Sequence, residues 1–148
     1  MPFAPGGGTD LIARTLGLGM SQALGQTVIV ESKPGAGATL GADHVAKAKP
    51  DGHTLLVTTL STHAVAPHLT KLPYNTVTDF TPIAHLADSD LVVLAAPNLE
   101  AKNMAELMEL AKRKPGAINY TTSGVGTISH LSFEALAAQA MARARAPA

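Results

Sequence analysis

Cysteine is absent from the chain. Thiolate catalysis, disulfides and cysteine–zinc sites are therefore excluded, and an oxidising compartment is compatible. Aromatic residues make up only 3% of the sequence, too few for platforms on which nucleic-acid bases stack. An excess of charge of one sign is also lacking. The 11 basic and 11 acidic side chains give a formal net charge of zero, which argues against an electrostatic nucleic-acid binder. No apolar run approaches the ~20 residues of a membrane span. Met1 leads straight into a glycine loop, without the basic segment and apolar core of a signal peptide. At 148 residues the chain suffices for one domain of ordinary size.

Glycine and proline are present where they matter. The stretch Pro2-Phe3-Ala4-Pro5-Gly6-Gly7-Gly8-Thr9-Asp10 precedes a helix expected from about Asp10 to Leu24. Three consecutive glycines remove every Cβ, so a ligand can approach the main chain closely. The first N–H groups of a helix lack internal partners and lie at its positive end. Such a loop is either a tight turn or a seat for a carboxylate or phosphate. It is not a nucleotide fingerprint. No Gly-Lys-Ser/Thr follows, and Leu11 occupies the position of the third dinucleotide-binding glycine. Asp10 would repel a polyphosphate, so the loop suits a small ligand.

Ile12, Leu16, Met20 and Leu24 recur at fourfold spacing and predict the buried stripe of the first helix. Thr9 or Gly8 is its expected cap, and Gly25 its C-terminal glycine. Short apolar segments predict strands at Thr27–Glu31, His53–Thr59, Ile83–Leu86, Leu91–Ala96 and Ala117–Thr122. Helices are expected at Thr39–Lys47, Ala64–Leu69, Met104–Arg113 and Ile128–Ala142. Asn103 and Glu106 form a capping box. A second glycine loop lies at Pro34–Ala38 and a third at Ser123–Thr127. The alternation predicts an α/β fold. Ala140–Ala148 is an alanine–arginine run without apolar period, expected to fray or be disordered.

The six histidines include no His-Glu-x-x-His pair, and no Gly-x-Ser-x-Gly elbow occurs. Ser129 and His130 are adjacent, which points their side chains apart. Hydroxyls at Thr9, Ser61, Thr62, Ser123, Thr127 and Ser129 fall near expected strand ends and helix starts. They serve either as helix caps or as donors in a neutral carboxylate pocket. Such a pocket binds without chemistry, because it offers neither general base nor activated nucleophile.

These motifs together resemble one family. Pro2-Phe3-x-Pro5-Gly6-Gly7-Gly8-Thr9-Asp10, Ala23-Leu24-Gly25-Gln26, Lys33-Pro34-Gly35-Ala36-Gly37, Pro50-Asp51-Gly52-His53-Thr54-Leu55, Leu72-Pro73-Tyr74, Lys114-Pro115-Gly116 and Ser123-Gly124-x-Gly126-Thr127 follow the order seen in the tripartite tricarboxylate transporter receptors, the Bug solute-binding proteins. The likeness covers Pro2 to about Ala138. It implies a two-lobed, type II-like periplasmic-binding-protein fold, incomplete here, with mostly parallel sheets flanked by helices. Residues 1–90 would belong to lobe one, 91–139 to lobe two, and 140–148 to a tail outside the family. The implied function is non-enzymatic, without cofactor or metal. A small organic acid (a di- or tricarboxylate, an amino acid or an aromatic carboxylate) would be captured between the lobes for a membrane permease. The implied location is the periplasm, and the complete receptor would be a monomer that binds no nucleic acid. Carried over by position, the ligand-binding residues are Phe3, Gly7, Gly8, Thr9, Asp10, Ser61, Thr62 and His63, with Ser123, Gly126, Thr127 and Ser129.

Two departures set further expectations. Met1 stands where the family shows a valine ending a first strand, as a GTG codon read as a start would give. The Ala-Arg tail is what a frameshift in GC-rich DNA would produce. Taken as complete, the chain would leave strand edges exposed and would bind weakly or not at all. A gene product without a binding role is thus one alternative, and an α/β enzyme another.

Overall fold

The structure is a computed structural model that describes the backbone of residues 1–145 and the side chains as far as Gln139. Its helices are α1 (Gly8–Leu24), α2 (Thr39–Ala46), α3 (Ala66–Leu69), α4 (Met104–Arg113) and α5 (Ile128–Arg145). A 3₁₀ turn lies at Ala36–Ala38 and a π-helical turn at Ser61–Val65. The chain forms two compact units. Unit 1 comprises Met1–Ala87 with Gly126–Ile128, and unit 2 comprises Asp88–Val125 with the chain from Ser129 onward.

α1 begins two residues before its expected start and ends as expected, at Gly25 in the left-handed conformation (φ 64°). Its buried face differs from the expected one. Asp10, Ala13 and Gly17 are buried, whereas Leu16 and Leu24 of the fourfold stripe are exposed. Small residues win this face because the segment carrying Val28 and Val30 lies close to Gly17. A Cβ on Gly17 would stand 3.2 Å from a Val30 methyl and 3.6 Å from one of Val28. Ser21 fixes the contact, donating to Gly17 O at 2.7 Å and accepting from Val28 N–H at 2.9 Å.

Among the described residues no β ladder forms, so the expected mostly parallel sheet is not built by them. A helix satisfies its backbone within its own turns, whereas a strand needs a neighbour at the correct distance. The five apolar segments were legible as sequence, but their pairing is not a local property. One parallel-type pair of rungs is present. The Met1 ammonium donates to Glu31 O at 2.8 Å, and Met1 O accepts from Lys33 N–H at 2.8 Å. Several apolar side chains stay exposed accordingly, including Ile29, Val92 and Leu94.

The core of unit 1 is made of small side chains: Ala13, Ala38, Ala42 and Ala66, joined by Pro2 and Tyr74. Gly41 in α2 allows the closest approach. A Cβ there would meet Pro2 Cα at 2.8 Å and Lys33 O at 2.9 Å. The Ala64–Leu69 helix of the sequence reading is in fact a π turn followed by α3. Pro67 lacks the N–H that an α ladder would send to His63. The chain takes a wider turn instead, with Ala66 N–H donating to Ser61 O.

In unit 2, α4 has the expected limits. Asn103 caps it, its side chain accepting from Glu106 N–H at 2.9 Å. The return arm differs from the expected capping box, since Glu106 accepts from Lys102 N–H rather than from Asn103 N–H. Lys112 and Arg113 occupy the last turn, where cations suit the helix dipole. The α5 backbone runs to Arg145, beyond the expected Ala142. For the expected frayed or disordered tail, residues 146–148 and the side chains from Ala140 lie outside the described residues.

Candidate functional site

Gly7, in extended conformation (φ −84°, ψ 172°), occupies the N-cap position of α1. No side chain caps this end, so the sequence-based choice of Thr9 or Gly8 is not what is found. Gly8 and Thr9 lie in the first turn, and their N–H groups have no intrahelical acceptor. Gly6, Gly7 and Gly8 are exposed, and a Cβ on any of them would meet nothing within 4 Å. Phe3 and Thr9 flank this bare loop half-buried. The loop therefore presents main-chain donors at the positive end of a 17-residue helix.

Asp10 turns away from solvent and back onto the loop. Its Oδ2 accepts from Gly6 N–H at 2.9 Å and from Arg14 Nε at 3.0 Å. Gly6 has a φ of 92°, a conformation that favours glycine. The Arg14 hydrogen bond, followed by that from Gly6, holds the Asp10 carboxyl below the usual carboxylate range.

Ser61, Thr62 and His63 form the start of the π turn. Ser61 is 2% exposed, and its hydroxyl accepts from Ile128 N–H at 3.1 Å. It thus caps α5 from 67 residues away. Thr62 is fully buried and its hydroxyl is enclosed by neighbours. Thr58 Oγ1 lies at 2.6 Å, His63 Nδ1 at 2.7 Å and Thr59 O at 3.2 Å. One hydroxyl has one proton and two lone pairs. All three neighbours are satisfied when Thr62 donates to Thr59 O and accepts from Thr58 and from a protonated His63 Nδ1. The His63 ring packs edge-on against Phe80, with centroids 4.6 Å apart, and near Tyr74 at 6.4 Å. Burial pushes its pKa down, which favours the neutral imidazole.

The third glycine loop is divided between the units. Gly126 and Thr127 belong to unit 1, with Thr127 2% exposed and Gly126 at φ 81° against Leu69. Ser123 and Ser129 belong to unit 2, where their hydroxyls lie 2.8 Å apart. The structure thus gathers Phe3, Gly7, Gly8, Thr9, Asp10, Ser61, Thr62, His63, Gly126 and Thr127 into one unit. Ser61 and Thr62 spend their hydroxyls internally, as a cap and as a buried junction.

Tyr74, Phe80 and Arg14 carry no role that their sequence context alone shows. Tyr74 donates to Thr62 O at 3.0 Å and so holds the π turn from outside. Its signal was present in Leu72-Pro73-Tyr74, a motif with no chemistry of its own. Arg14 was readable only as the fourth residue after Asp10. Among the described residues, no three His, Asp or Glu side chains gather as metal ligands.

Comparison with known proteins gives this geometry a context. The structure superposes on that of a periplasmic transporter with a TM-score of 0.89 and 42% identity, covering 95% of this chain and 47% of the other. MatC from Rhodopseudomonas palustris, solved with bound malate, gives a TM-score of 0.87 and 38% identity over 95% of this chain and 48% of MatC. The fold therefore matches just under half of each of these two chains. Residues 12–144 match the model of the tripartite tricarboxylate transporter family receptor. The chain belongs to that family. A UPF0065 protein of Bordetella pertussis is 45% identical over 135 residues, 90% of this chain and 42% of the relative. Protein BugT of the same organism is 35% identical over 136 residues, again 90% and 42%. The chain spans less than half the length of these relatives.

Proposed function

We propose that this chain is the carboxylate-holding part of an extracytoplasmic solute-binding receptor that delivers a small organic acid to a tripartite tricarboxylate-type membrane transporter. The observation that carries the reading is the bare N-terminus of α1. Gly7 caps it without a side chain, and open space lies over three successive glycines. A carboxylate seated there would take main-chain N–H donors that the fold leaves unused. Phe3, Gly7, Gly8 and Thr9 are its proposed contacts. Gly126 and Thr127, in the same unit, are proposed as a second donor segment. Ser61 and Thr62 are proposed to act indirectly, by fixing the π turn and the start of α5. His63, whose burial favours the neutral ring, is proposed as a further member of this group. Ser123 and Ser129 are carried as a hydroxyl pair of the same family motif.

The location proposed is the periplasm, and the partners are the permease subunits of the transporter. Family membership supports a transport receptor rather than an enzyme. The malate-bound relative supports a carboxylate ligand. A mostly parallel sheet is proposed for the whole receptor, supported by the rungs from Met1 to Glu31 and Lys33.

A thermal melt of the chain against mono-, di- and tricarboxylates, malate first, tests the reading. A ligand that binds only the native state raises the midpoint, by about 2.7 kcal/mol of stability at a hundredfold excess over Kd. For a chain of this size that corresponds to roughly 5–10 °C. A transition blind to every carboxylate would refute the reading and favour a gene product without a binding role.

A further inference from the structure

A carboxylate is out of place at the mouth of an anion site. Asp10 lies in the first turn of α1, next to the bare glycine loop, and is 6% exposed. An uncompensated charge there would repel a bound anion across a few ångströms. Two features of its surroundings resolve the conflict. Oδ2 is spent on Gly6 N–H and on Arg14 Nε, at 2.9 Å and 3.0 Å. Oδ1 is buried without a hydrogen-bond partner, so no second donor shares the charge at that oxygen. The formal charge is offset by Arg14, one turn further along the same helix face and half exposed.

We propose that Arg14 is a specificity-determining residue for the glycine-loop site, which accepts an anion because Arg14 neutralises Asp10 while Asp10 holds Gly6. The proposal rests on the reading of the loop as a carboxylate site. It makes Asp10 a positioning residue rather than a ligand contact. The loop needs a fixed Gly6 to aim the donors of Gly7, Gly8 and Thr9. A carboxylate supplies the strong acceptor for that purpose, and its charge then has to be cancelled. Arg14→Gln leaves the acceptor in place and exposes the charge. Asp10→Asn removes the charge while its amide oxygen still accepts from Gly6 N–H.

The test is malate binding by calorimetry at low ionic strength to the chain and to Arg14→Gln, Arg14→Lys and Asp10→Asn/Arg14→Gln. Circular dichroism without ligand checks that each variant is folded. Arg14→Gln is expected to weaken binding about three- to tenfold, the size of one unit charge about 4 Å away in a water-like dielectric. Added salt shrinks that deficit. Arg14→Lys keeps most of the affinity. The decisive arm is the double variant, which regains near-wild-type binding although it departs further from the native sequence. A purely structural role for the pair predicts the opposite order. Arg14→Gln binding like wild type, or a double variant no better than Arg14→Gln, overturns the proposal and leaves the loop reading standing. A wild-type chain that binds no carboxylate removes both.

Discussion

Replacing Gly41 with alanine opposes two effects of opposite sign. Gly41 lies within α2 and adopts ordinary helical torsions, so propensity alone favours alanine by about 1 kcal/mol. The added Cβ, however, would stand 2.8 Å from Pro2 Cα and 2.9 Å from Lys33 O and Pro2 Cβ. Carbon atoms are at ease near 3.5–4.0 Å, so the two backbones must part by roughly 0.7 Å. Neither neighbour is the tip of a flexible side chain. Pro2 is among the most fully buried residues, and Lys33 N–H is held by Met1 O at 2.8 Å. Overpacking of this kind costs about 1–3 kcal/mol. The net expectation is a loss of about 1 kcal/mol, within a range of roughly 0–2, read as a lower urea midpoint by circular dichroism. Gly19→Ala in α1 is the control, because a Cβ there meets nothing within 4 Å. It is expected to gain about 0.5–1 kcal/mol. A Gly41→Ala chain as stable as wild type, or more so, would refute the steric reasoning.

Two further outcomes are expected. Asn103→Ala removes the cap that accepts from Glu106 N–H and should cost about 1 kcal/mol in the same urea assay. For His63, burial lowers the folded-state pKa below its ordinary 6.5, so the unfolded chain takes the proton first as pH falls. Its contribution therefore destabilises the fold progressively below about pH 6.5, down through the depressed value. His63→Gln should flatten that part of the stability–pH curve. Parallel curves for the two proteins would rule out the buried neutral ring.

Several features were legible in the chain because their causes are local. α4 has its expected limits, since Asn103 supplies an acceptor three residues from its donor and Pro115-Gly116 closes the far end. Gly25 ends α1 by adopting a conformation that costs a Cβ-bearing residue more. The glycine loop at the head of α1 was readable for the same reason, and the order of motifs already resembled the receptor family. Even the π turn left a mark in Pro67, a residue without an N–H.

What the tertiary structure decided depends on neighbours far along the chain. Spacing pointed to Ile12, Leu16, Met20 and Leu24 as the buried stripe of α1, but Asp10, Ala13 and Gly17 are buried, and Val28 and Val30 approach at Gly17. Ser61 reads as a loop hydroxyl until Ile128 arrives to donate to it. Caps and turns close within a few residues and can be read from order alone. Buried faces, distant caps and strand pairing are set by which segments meet, and that depends on the packing of the folded chain.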